Sequence, residues 1–197
     1  MRHVHFRTSS FSAVFLILAV LAAPLWAQDA AHAPFPYKKP PKVITDVLES
    51  PAAPQVVVSP IRDRMLIVDS LRHPSIADLA QPMLRLAGLR INPLTNGLHR
   101  PPHHVGLRLA TLADGKEQKL AVPPNAWLSL PTWSKDGQLF AFTNITPSGI
   151  ELWVGDAKTG ALRKIPGIRV NGILGRTLQW MPDSHTLLAS RPMGCSA

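Results

Sequence analysis

Along most of this chain apolar and polar residues alternate in runs too short for a long helix. Gln55-Val56-Val57-Val58 is β-branched and apolar, and Arg64–Asp69 contains Met65-Leu66-Ile67-Val68. With the turn Ser59–Asp63 between them, the two runs read as a hairpin. After Pro102 the pattern predicts strands at 105–112, 118–122, 127–133, 138–143, 150–154, 161–165, 176–180 and 186–190. Turn residues separate nearly all of them: Asp114-Gly115, Pro123-Pro124, Asp136-Gly137, Pro147-Ser148-Gly149, Lys158-Thr159-Gly160 and Pro182-Asp183-Ser184. Short strands at close spacing predict an all-β domain. Residues 70–102 break the pattern and read as a helical or loop insertion. Ser75 caps a short helix over Ile76–Ala80, Pro82 ends it or begins another over Met83–Ala87, and Gly88 reads as a C-terminal stop.

A degenerate repeat runs through these strands. One copy is Leu130-Pro131-Thr132-Trp133-Ser134-Lys135-Asp136-Gly137-Gln138-Leu139-Phe140-Ala141-Phe142, and a second is Thr177-Leu178-Gln179-Trp180-Met181-Pro182-Asp183-Ser184-His185-Thr186-Leu187-Leu188-Ala189. Their tryptophans are 47 residues apart. A third copy spans Val56–Val68, with Ser59 standing 75 residues before Ser134 and Asp63 as its acidic turn residue. The excess over one period is about the length of the insertion. Asp-Gly suits a type I′ hairpin turn, and Asp136 and Asp183 can bond the backbone ahead of them. Trp153 and its strand, with the strand after Gly160, complete four strands per period, which is the signature of a β-propeller blade. The expected fold is therefore a partial β-propeller of about two to three four-stranded blades, since closed propellers use four to eight. A sandwich whose hairpins share Asp-Gly turns by chance is the competing architecture.

Composition narrows this picture. The chain has 197 residues and 20 prolines, which exclude a long bundle or coiled coil. Its lone Cys195 excludes a disulfide framework or a Cys-rich zinc module. Residues 1–27 have the order of a secretory signal peptide: basic Arg2 and Arg7, an apolar run centred on Phe15–Leu21, then Ala27. Residues 28–54 are proline-dense and read as an arm in which Val43–Leu48 makes one short turn or helix. The partial propeller then occupies 55–192, and 193–197 is a tail. Removing the signal leaves 19 basic and 12 acidic residues, a net charge of +7. The basic residues are scattered, so no nucleic-acid partner is expected. Membrane contact is expected only through an uncleaved signal segment.

The repeat also carries a resemblance. Trp133–Phe142 resembles the blade motif shared by TolB-type propellers and the propellers of prolyl-oligopeptidase-family serine peptidases. Pro40–Pro51 and Pro74–Pro93 resemble segments of the glutamyl-endopeptidase-like branch of that family. The resemblance implies a secreted two-domain serine peptidase, with a propeller restricting access and an α/β-hydrolase domain supplying Ser, Asp and His. Peptide is the substrate that the family implies.

This sequence has no Gly-x-Ser-x-Gly elbow. Ser148 lacks the preceding glycine, and Ser184-His185 lies in a turn beside a strand, so no catalytic residue is carried over. No cofactor and no metal site is expected. His99, His103 and His104 have a spacing that could bind a metal, but no carboxylate or cysteine completes the set, and they read as part of a solvated Pro-rich loop. Arg85 and Arg90 read as surface arginines, with an acidic substrate as the other possibility. The expectation is a non-catalytic propeller portion that gates and positions peptides, its Arg191–Ala197 ending falling in mid-blade. The alternatives are a self-standing secreted binding module, self-associating through open propeller edges, and a periplasmic scaffold anchored by an uncleaved N-terminus.

Overall fold

The computed structural model describes residues 38–174 and 176–192. The expected signal segment 1–27, residues 28–37 of the expected arm, and the expected 193–197 tail with Cys195 lie outside the described residues. The chain divides into two units after Leu48. In the first, helix α1 (Lys42–Leu48) forms over the apolar run of the arm and carries a Lys42–Asp46 ion pair at i,i+4. Among the described residues, no helix is long and apolar enough to cross a membrane.

The second unit is built from antiparallel sheets. β1 (Gln55–Val58), β2 (Arg64–Ser70), β6 (His104–Thr111) and β7 (Glu117–Lys119) form one four-stranded sheet in that order. β8 (Thr132–Trp133), β9 (Leu139–Thr146), β10 (Gly149–Asp156) and β11 (Leu162–Val170) form the next, again consecutive in space. β12 (Leu178–Trp180) and β13 (Leu187–Ala189) pair as a third sheet. The architecture is a partial propeller: two four-stranded blades and a hairpin that repeats the first two strands of a blade.

Alternation explains the packing. One face of the first sheet presents Leu66, Val68, Leu107 and Leu109 to Phe140 and Phe142 of the second, and Leu128 and Leu120 fill the same core. The opposite face of the second sheet presents Ala141, Ile150, Leu152, Val154 and Val170 to Leu178 and Trp180. The middle sheet is thus covered on both sides. Gly155 is required by this packing, because a Cβ there would run into the Phe140 ring across the strand pair.

The insertion falls between β2 and β6, where the second blade has only Pro147 and Ser148 between β9 and β10. The expected first helix is present as α2 (Ile76–Leu79), closed by a capping box between Ser75 and Asp78. The expected second helix is not. Leu84–Leu86 is strand β3, paired with β4 (Leu89–Asn92), which pairs in turn with β5 (Gly97–Leu98). Ala87 and Gly88 both have positive φ, 47° and 84°, so they form the two-residue hairpin turn and not a helix stop. The expected strand 127–133 is also shorter: only Thr132–Trp133 is regular, and Leu128 bridges His104 on one sheet and Asn144 on the other.

Candidate functional site

The three copies of the repeat close with one turn geometry. Ser59 N–H donates to Arg64 O, Ser134 N–H to Leu139 O, and Met181 N–H to Thr186 O. The residue three positions on is left-handed in each: Arg62 (φ 56°), Gly137 (φ 69°) and Ser184 (φ 62°). Asp136 itself is not left-handed, so the turn is a tight turn followed by one left-handed residue, not the expected type I′. The acidic side chains act as expected in two copies. Asp136 accepts from Gln138 N–H at 3.1 Å and Asp183 from His185 N–H at 3.0 Å. Ser134 Oγ donates to Asp136 at 2.6 Å, and this bond first, then the backbone N–H of Gln138, holds the Asp136 carboxyl below the usual carboxylate range. The Thr186 hydroxyl does the same for Asp183. In the first copy Ile61 occupies that position, and Asp63, two residues later, takes the hydroxyl of Ser59 at 2.7 Å. Pro182 occupies the second turn position, as Lys135 and Pro60 do.

Both sheet junctions are tied in the same way. Trp133 Nε1–H donates to Val57 O at 3.0 Å, and Trp180 Nε1–H donates to Thr132 O at 3.0 Å. Val57 and Thr132 stand at the same place in the repeat, one residue before the strand end, so the two ties are equivalent. Neighbouring turns also stack: Gly137 lies against Ile61, and Ser184 Oγ accepts from Asp136 N–H at 3.1 Å. The first junction has further ties in the Arg64 guanidinium on Ala157 O and Gln118 Nε2 on Thr159 O.

The histidines are not a solvated loop. His104 opens β6 and is 2% exposed, its Nδ1 lying 2.9 Å from Ser70 Oγ. Burial, then the neighbouring His103, holds its imidazole below its ordinary pKa. His103 stacks on Trp127 with ring centroids 4.2 Å apart and donates from Nε2 to Ala126 O. His99 donates from Nε2 to Gln81 O. Among the described residues no group of three His, Cys, Asp or Glu is placed to hold a metal. Nothing in the sequence signalled the Ser70–His104 pair, whose members are 34 residues apart across the insertion.

Ser148 Oγ lies 3.3 Å from Thr146 Oγ1, and Ser184 Oγ accepts from Asp136 N–H. Arg85 and Arg90 face each other across the β3–β4 pair, on the same side of the insertion hairpin. Two open spaces flank the insertion. A cleft of about 510 Å³ runs between its Asn92–Pro101 segment and the Trp127 loop. A pocket of about 260 Å³ lies between the insertion, His104 and the first residues of the blades. A third cleft, of about 560 Å³, is lined by Glu151, Lys164, Arg169 and Arg191. There burial opposes the Glu151 charge, but hydrogen bonds from Lys164, Trp153 and Asn144 overcome it and hold the carboxyl below its usual range.

No family model matches the chain. It is 30% identical over 175 residues to a probable glutamyl endopeptidase of Oryza sativa subsp. japonica, covering 82% of this chain and 19% of that protein. It is 31% identical over 169 residues to the probable glutamyl endopeptidase of Arabidopsis thaliana, covering 79% of this chain and 18% of that one. Over these stretches the chain is similar to the glutamyl endopeptidases. It spans about a fifth of the length of these curated relatives. Among solved structures, it matches a Pyrococcus horikoshii acylaminoacyl peptidase at 19% identity and a TM-score of 0.39, covering 75% of this chain and 18% of that one. It also matches an acylaminoacyl peptidase in complex with Z-Gly-Gly-Phe-chloromethyl ketone at 20% identity and a TM-score of 0.38, covering 71% of this chain and 17% of that one.

Proposed function

We propose that this glutamyl-endopeptidase relative is a non-catalytic propeller portion of a serine peptidase, which gates and positions peptide substrates above a hydrolase site that these residues do not form. The observations that support the reading most are the two successive four-stranded sheets and the similarity to the plant glutamyl endopeptidases over about four fifths of the chain. Ordered blades with equivalent tryptophan ties suit a rigid gate, whereas a nucleophile needs a base within hydrogen-bond reach and an oxyanion site beside it. Secretion or a periplasmic location belongs to the same proposal and rests on the residues 1–27 pattern.

The test is labelling of the purified chain with a fluorophosphonate serine-hydrolase probe, alongside hydrolysis of peptide-linked chromogenic substrates. Neither labelling nor turnover is expected. Turnover abolished by Ser70→Ala, Ser148→Ala or Ser184→Ala would overturn the reading.

A second reading, a self-standing binding module that self-associates, is favoured by one observation. Val56 and Val58, on the face of the first sheet that points away from the second, are 52% and 48% exposed. Size-exclusion chromatography separates the two: a monodisperse oligomer supports self-association, and a monomer or an aggregating chain does not.

A further inference from the structure

The 260 Å³ pocket lies where the insertion meets the blades, and its walls include Leu98, Leu128, Leu130, Ile145 and Ile150. His104 also lines it and supplies an imidazole that is almost wholly buried. Ser70 takes its Nδ1, and no described residue takes its Nε2. The pocket is therefore mostly apolar, with polar groups of Gln55, Ser129, Thr143 and Thr177 also on its wall and the His104 ring fixed by Ser70, the ordinary make-up of a small-molecule site.

We propose that this pocket binds a neutral apolar ring of phenol or indole size bearing one hydroxyl or N–H, which His104 Nε2 holds by a hydrogen bond. Size supports the assignment, because dry apolar cavities of about 150 Å³ already accept benzene. Polarity supports it as well. A buried hydroxyl without a partner is costly, and His104, held in place by Ser70, offers that partner in a mostly apolar wall. The imidazole is held in its neutral form, so it gives no ionic preference for a carboxylate. Ser70 fixes the ring orientation, as the second partner of a functional histidine usually does. The same chemistry is carried by a free phenol and by a tyrosine side chain on a peptide. The site stands independently of the peptidase reading.

The experiment is titration of the full chain with p-cresol, toluene and N-acetyl-tyrosinamide, read by imidazole ¹⁵N NMR and calorimetry. p-Cresol should shift the His104 Nε2 resonance and bind about 3- to 10-fold tighter than toluene, the worth of one buried hydrogen bond. His104→Phe should remove that preference while toluene still binds. Leu130→Trp, at a 44% exposed position on the pocket wall, should block both ligands and keeps the test decisive where His104→Phe unfolds the chain. N-acetyl-tyrosinamide matching p-cresol identifies a peptide side chain as the occupant, and weaker binding identifies a free ring. Equal affinity for p-cresol and toluene would overturn the proposal, as would an unmoved His104 resonance, or a preference that survives His104→Phe.

Discussion

The two junctions of the middle sheet share a tie and differ in the apolar side chains packed around it. At the first, Trp133, Phe140, Phe142 and Trp153 form a ladder of rings against Leu66, Val68, Leu107 and Leu109. At the second, Trp180 is the large ring, and Ala141, Leu187 and Ala189 surround it. The indole bond sets where one strand end meets the next, so it recurs unchanged. The filling sets how strongly the sheets hold, so it varies. A repeat can therefore keep its geometry while its energy is distributed unevenly.

The largest expected effect breaks the first junction. Phe142→Ala should cost about 3–5 kcal/mol, because the ring is fully buried and its cavity cannot collapse. Leu187→Ala, at the second junction, should cost clearly less, since the residue is only partly buried. Urea denaturation of both variants measures the gap. Equal losses would mean that the two junctions form one undivided core.

Next, replacing each indole by a phenyl ring, which removes the N–H together with the five-membered ring, sharpens the comparison. Trp133→Phe and Trp180→Phe should each lose about 1–3 kcal/mol, with similar values, because each leaves an equivalent carbonyl unpaired. A double-mutant cycle with Phe142→Ala checks which tie shares its filling; coupling should appear for Trp133 and be absent for Trp180.

The turns predict smaller effects of opposite sign. Gly137→Ala should destabilise by about 1 kcal/mol, since Gly137 is left-handed and already close to Ile61. Arg62→Gly, at the equivalent position of the first copy, should gain about 0.5–1 kcal/mol by relieving a left-handed non-glycine. Thermal midpoints read both.

The smallest effects are in pH. Asp136 and Asp183 titrate below their ordinary range, so their stabilisation is present above about pH 4 and is lost as pH falls through the lowered folded value. Ser134→Ala should move the Asp136 midpoint upward and leave that of Asp183 in place, as carboxylate NMR titration would show. His104 also titrates below its ordinary value. Its neutral form is favoured in the fold, so stability should begin to fall as pH drops below about 6.5. That slope should disappear in His104→Phe.

The blade repeat was legible because Trp-Ser-x-Asp-Gly combines a strand end, a hydrogen-bonding turn and the left-handed residue that closes it. Its first copy was legible only in outline. Ile61 replaces the acidic residue there, and Asp63 does a similar job from a different position, which spacing alone does not distinguish. The β3–β4 hairpin was misread because Leu84-Arg85-Leu86 is equally compatible with a helical turn and a strand. Its turn depends on Ala87 at positive φ, a conformation that alanine does not advertise. The burial of His104 was hidden for another reason. Flanking prolines mark a loop, but the bridge to Leu128 and the bond to Ser70 come from distant segments.

Hydrogen exchange at the four described indoles tests the central claim most directly, namely that equivalent tryptophan ties join successive blades. Trp133 and Trp180 bond backbone carbonyls across the junctions, while Trp153 bonds the Glu151 side chain on its own strand and Trp127 bonds Pro102 O from a partly exposed loop. The ties predict slow exchange for Trp133 and Trp180, with Trp133 the slower, and fast exchange for Trp127 and Trp153. Trp133 and Trp180 protons exchanging as fast as those of Trp127 and Trp153 would contradict it.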